Sequence, residues 1–103
     1  MIKWNEADDC DKILLKALLL LYENNEKLLH HILNPNSPKL RTSSDLIKAR
    51  STVFSSGEQL LIRIGLDAWN GSGGIHFNEL YEKLDSANFQ RVLLFLNYLY
   101  YPS

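Results

Sequence analysis

The stretch "AWNGSGGIHFNEL", residues 68–80, carries the spacing of a calcium loop. Gly73 stands at the sixth loop position, Ile75 at the eighth and Glu79 at the twelfth, where an EF-hand needs a glycine, an apolar residue and a bidentate glutamate. Asn70, Ser72 and the Gly74 carbonyl would fill positions three, five and seven. The first position, normally aspartate, is Ala68, and Asp67 falls one residue early, about 100° around the incoming helix. One carboxylate is too little charge for useful calcium affinity, and no second loop of this kind exists to pair with it. The residues spell a corner more economically: Asn70-Gly71 stops a helix, the other glycines turn the chain, and Ile75 or Phe77 packs as the next helix begins. These glycines also lack a following Lys-Ser/Thr pair and a preceding strand, so they are not a phosphate loop.

Other reactive groups carry no recognised spacing. His30 and His31 are adjacent, so on a helix they point about 100° apart and do not readily share one ion. With Cys10 and His76 they match no zinc pattern, and Glu26–His30 reads as a surface pair near a helix end. No nucleophile elbow, Cys/His motif or paired-carboxylate motif is present. The chain is read as non-enzymatic, with no catalytic residue, metal ligand or cofactor.

Five basic residues crowd the middle. Residues 34–63 hold Lys39, Arg41, Lys48, Arg50 and Arg63 against Asp45 and Glu58, while the segments on either side are net acidic. Such a face can meet phosphates, and two helices around the turn near residue 54 would suit a small DNA-binding regulator. That is the alternative reading of function; the net charge of −1 for all 103 residues weighs against it.

These groups must be positioned by helices. Apolar residues recur at Leu14, Ala17, Leu18 and Leu21, behind acidic residues and the candidate cap Asn5. Asn24-Asn25 breaks that helix, and "EKLLHHIL" forms a second, ended by "NPNSP". "SDLIKAR" follows, capped by Ser43 or Ser44. Ser55 and Glu58 form a capping box for "EQLLIRIGLDAW", "HFNELYEKL" gives a fifth helix, and Asp85 caps "SANFQRVLLFLNYLYY" up to Pro102. The predicted fold is all-α, a compact single domain over residues 1–103 with about five or six helices.

From Val92 to Tyr101 only Asn97 is neither apolar nor aromatic, so the last helix is either central to the core or shared with a partner. Phe95, Tyr98, Tyr100 and Tyr101 are the candidate contacts, either to a protein partner or in a homodimer. Trp69 and His76, flanking the glycine corner, join them. The lone Cys10 permits no intrachain disulfide, and the longest apolar run, Ile13 to Tyr22, is half of the roughly 20 residues a membrane helix needs. A cytoplasmic protein without a membrane partner is expected.

"SSGEQLLIRIGLDAWNG" followed by "LYEKLDSANFQRVL" resembles an uncharacterised family of small bacterial and mobile-element proteins. The likeness rests on Ser55, Ser56, Trp69, Asn70, Gly71, Leu84, Asp85, Asn88 and Phe89, in the second half of the chain. It implies a helical fold and a setting, that of phage or mobile-element proteins that inhibit or modulate a host protein such as a defence system. It implies no catalytic residue. The reading of function is therefore a protein–protein interaction module.

Overall fold

The computed structural model describes residues 2–23 and 25–102. Six α-helices are present among them: α1 (Asp9–Leu21), α2 (Glu26–Ile32), α3 (Ser44–Ala49), α4 (Ser56–Asn70), α5 (Phe77–Lys83) and α6 (Ser86–Tyr100). A single 3-10 turn, Arg50–Val53, extends α3, and one isolated bridge joins Leu33 to Leu40. The fold is all-α. No helix among the described residues is long and apolar enough to cross a membrane.

Local chemistry sets most helix ends. Ser55 accepts from the Glu58 amide while the Glu58 carboxylate accepts from the Ser55 amide, satisfying two of the four amides that a helix start leaves unpaired. Asp85 caps α6 through the Asn88 amide, and Gly71 closes α4 in the left-handed conformation at φ 76°. Ser43, rather than Ser44, caps α3. The start of α1 differs from expectation. Asp8, not Asn5, is the cap, because the Asp8–Asp11 spacing completes a reciprocal pair of hydrogen bonds. Asn25 caps α2 through the Lys27 and Leu28 amides, and Asn24, the other half of the expected break, lies outside the described residues.

Helix α4 is the hub. Leu60, Leu61, Ile62, Ile64 and Leu66 are buried, and α1, α2, α3 and α5 all pack on it. Its crossing with α1 is unusually close at Gly65. There the Tyr22 ring passes over the helix and its hydroxyl donates to the Leu61 carbonyl at 3.0 Å. A Cβ built on Gly65 would land on that hydroxyl. Mid-helix glycine costs roughly 0.5–1 kcal/mol relative to alanine; here it makes room for a buried tyrosine that has its hydrogen bond.

Helix α6 packs chiefly on α1 and buries only Val92 and Phe95 completely. Its predicted apolar circumference is thus split: one side closes the core, and Leu93, Leu94, Leu96, Tyr100 and Phe89 remain on the surface.

Candidate functional site

The glycine corner is built around a guanidinium. Arg63, on α4, donates from Nε to the Gly73 carbonyl at 3.0 Å and from a terminal nitrogen to the Gly74 carbonyl. The same group meets both Glu79 oxygens at 2.8 and 2.9 Å. A carbonyl and a carboxylate that the loop spacing would offer to calcium, those of Gly74 and Glu79, are thereby engaged by a side-chain cation. Arginine suits this role because its planar fork binds a carboxylate in two places. The pairing lowers the Glu79 pKa to about 2, chiefly through the hydrogen bond from Arg63, and raises that of Arg63.

The rest of the corner is equally well tied. Asp67 accepts from the Gly73 amide at 3.2 Å, Asn70 accepts from the Ser72 amide at 3.1 Å, and Lys48 on α3 donates to the Ser72 carbonyl at 2.8 Å. Gly73 lies so close to α4 that a Cβ there would strike the Arg63 carbonyl. Ile75 packs against the core as expected, whereas Phe77 does not: it is 89% exposed. The first turn of α5 aims that ring outward, towards α6.

Between α5 and α6 lies an apolar groove in two adjoining parts of about 310 and 480 Å³. Phe77 and Leu80 border both parts. Val92 and Phe95 form one floor, with Leu96, Leu99 and Tyr100 along a wall; Tyr81, Leu84 and Phe89 line the other part. On α6 the partly exposed residues Phe89, Leu93, Leu96 and Tyr100 follow a 4-3-4 spacing, which places them along one stripe. Tyr81 is 92% and Tyr100 78% exposed. Asp67 and Asp85 are the charged residues among the lining, one in each part.

The sequence-derived partner residues are distributed unevenly over this surface. Tyr100 lies in the groove, and Phe95 is its floor but is only 1% exposed, so its ring belongs to the core. Tyr98 turns to α1, where Lys16 lies 5.8 Å from its ring centre, and Tyr101 is exposed beyond the helix end. Trp69 is half-buried against Trp4, ring centres 5.9 Å apart, and Trp4 in turn donates to the Asn34 carbonyl at 2.8 Å. His76 is exposed at the cap of α5. Phe77, Leu80, Tyr81, Phe89 and Leu96 are the groove residues missed in the sequence. Their signal was the 77, 80, 81, 84 stripe on a helix of only seven residues, too short to bury both its aromatics and its leucines.

The five basic residues do not form one face. Arg63 and Lys48 are tied into the corner. Arg41 and Arg50 line a different pocket together with Lys27, His30, His31 and Thr42, and Lys39 is not among its lining. His31 is structural: its Nε2 lies 3.1 Å from the Ile47 carbonyl and 3.0 Å from the Ser51 hydroxyl, and its ring meets Phe54 edge-on. His30 pairs with Glu26 at 3.0 Å, the surface pair that the sequence suggested.

No protein-family model, curated protein or solved structure matches the chain.

Proposed function

We propose that this protein acts by binding another protein, whose amphipathic helix lies in the groove between α5 and α6. The observation that carries the reading is a continuous apolar surface with Phe77, Tyr81 and Tyr100 almost fully in water. Each such ring presents roughly 150–200 Å², so the three with their neighbouring leucines reach the patch size, a few hundred Å², that marks interaction sites on monomers. Rigid aromatics on both walls of a groove suit an inserted helix with apolar residues at i, i+3, i+4 and i+7.

Charge narrows the occupant. The groove is bordered by Asp67 and Asp85 with no lysine or arginine in its lining among the described residues. A second copy docking through the same face would set like charges together, whereas a helix flanked by Lys or Arg would be steered to it. The partner is therefore a different protein with a basic-flanked amphipathic helix. Inhibition or modulation of a host protein, the setting implied by the sequence resemblance, is one use of such a surface, and no catalysis is assigned.

Fluorescence anisotropy with two model helices tests the reading: one leucine-faced peptide with lysine flanks and the same peptide with glutamate flanks. The lysine form should bind saturably and lose at least about tenfold in affinity to a Phe77→Ser/Tyr81→Ser variant, the loss expected for removed aromatic anchors. Equal binding of both peptides, or affinity unchanged in the variant, overturns it. Sedimentation showing a dimer broken by the same variant would replace the heterologous partner with a second copy.

A further inference from the structure

A second site lies away from the groove, where α2, the Arg41–Thr42 segment and the end of α3 enclose a pocket of about 240 Å³. We infer that this pocket binds the phosphate group of an alkyl phosphomonoester. Its lining holds Lys27, Arg41 and Arg50 together with His30, His31 and the Thr42 hydroxyl, and no carboxylate among the described residues. Three elements thus bring three permanent cations to one cavity. Glu26, the acid nearest in the sequence, is engaged by His30, and Asp45 at the start of α3 is not part of the lining.

One of the cations is held in place, and all three keep donors unused. Arg41 is anchored twice, its amide donating to the Ile32 carbonyl at 2.8 Å and one terminal nitrogen to the His30 carbonyl at 2.9 Å. The remaining guanidinium nitrogens take no part in these bonds. Among the described residues Lys27 and Arg50 have no side-chain hydrogen bond or ion pair. The His31 bonds to Ile47 and Ser51 fasten α2 to α3, so the pocket walls are fixed before any ligand arrives. An anion that enters among these cations is attracted by all three at once. A phosphomonoester, with about −1.5 to −2 charges and three acceptor oxygens, meets arginine forks and a hydroxyl directly.

The arrangement distinguishes this ligand from two others. Duplex nucleic acid is held by cations strung along its backbone, but here Lys48 and Arg63 are drawn into the glycine corner and only Arg41 and Arg50 of the basic middle converge. A nucleotide would want an aromatic face for its base; among the described residues the rings in this lining are those of His30 and His31, and both are engaged, His30 with Glu26 and His31 with Ile47, Ser51 and the Phe54 ring. A phosphate on an aliphatic carrier remains, as in phosphoserine or glycerol phosphate.

The test is a titration of the full ¹⁵N-labelled chain at constant ionic strength with inorganic phosphate, phosphoserine, glycerol phosphate, AMP and duplex DNA. Phosphoserine or glycerol phosphate should shift the Thr42 and Arg50 amides saturably, and the tighter of the two identifies the carrier. Arg50→Gln should weaken that binding at least about tenfold, as loss of a charge-assisted bond implies, and Lys39→Gln should leave it unchanged. Lys27→Gln, read in parallel, carries the test should Arg50→Gln alter the fold by circular dichroism. Shifts no larger than chloride produces, or equal losses in Lys39→Gln and Arg50→Gln, overturn the site. Tighter binding of AMP or of DNA than of either alkyl ester overturns the ligand class.

Discussion

The inner and outer faces of α6 are nearly identical in composition and opposite in fate. Val92 and Phe95 on the inner face are buried where α6 packs on α1 and form the floor of the groove, while Leu96 and Tyr100 on the outer face stand along its open wall. The difference comes from what stands opposite. The inner face meets α1, a helix of 13 residues; the outer face borders α5, a seven-residue helix that buries none of its residues completely and packs chiefly on α4. Polar bonds from Arg63 to Glu79 and the glycine carbonyls help hold α5 there, instead of a covered apolar seam with α6. Apolar surface of one helix thus becomes core where another element covers it and stays an open groove where none does.

Breaking the inner face should have the largest effect. Phe95→Ala, at 1% exposure, is expected to cost about 3–5 kcal/mol in chemical denaturation. Gly65→Ala comes next. It sets a methyl against the Tyr22 hydroxyl and should cost about 1–3 kcal/mol by overpacking, with Tyr22→Phe in the same chain recovering part of the loss.

The polar attachment of α5 gives a smaller and pH-dependent effect. Glu79 has its folded pKa lowered to about 2 from an ordinary 4.5, so its pairing stabilises the fold fully above 4.5 and is lost as pH falls towards 2. Amide exchange in Phe77–Lys83 should therefore accelerate across that window ahead of exchange in α4. In Arg63→Met the same residues should already exchange fast at pH 7. Protection of α5 that is unchanged in Arg63→Met would show that apolar contacts, not the guanidinium, hold it.

The outer face should contribute least to stability. Tyr81→Ser, at 92% exposure, is expected to change unfolding by no more than about 0.5 kcal/mol while weakening helix capture. A large loss of stability in this variant would erase the contrast between the faces.

Much of the helical layout was legible because capping is local. Ser55 with Glu58, Asp85 and Gly71 each satisfy or release backbone groups within a few residues, and spacing alone reveals them. Asn5 misled because four acids follow it, Glu6, Asp8, Asp9 and Asp11, and the reciprocal pair of bonds forms between Asp8 and Asp11. The sites were less legible, for reasons of distance. Arg63 counts in the sequence as one charge of a basic segment, yet its function is decided by acceptors 10 to 16 residues later. Lys27 is separated from Arg41 and Arg50 by a loop, so no segment-based charge count would group them. Of the two residues expected to pack after the corner, Ile75 does and Phe77 does not, because an apolar side chain in a sequence does not reveal whether anything covers it.

The most direct test of the central claim is to map where a lysine-flanked amphipathic helix lands, using intermolecular NOEs between the labelled chain and unlabelled peptide. The predicted contacts run from Phe77 and Tyr81 across to Leu96 and Tyr100, with Trp69 and Tyr98 silent. Contacts centred on Tyr98 and α1, or no contacts at peptide concentrations that saturate anisotropy, would contradict the account.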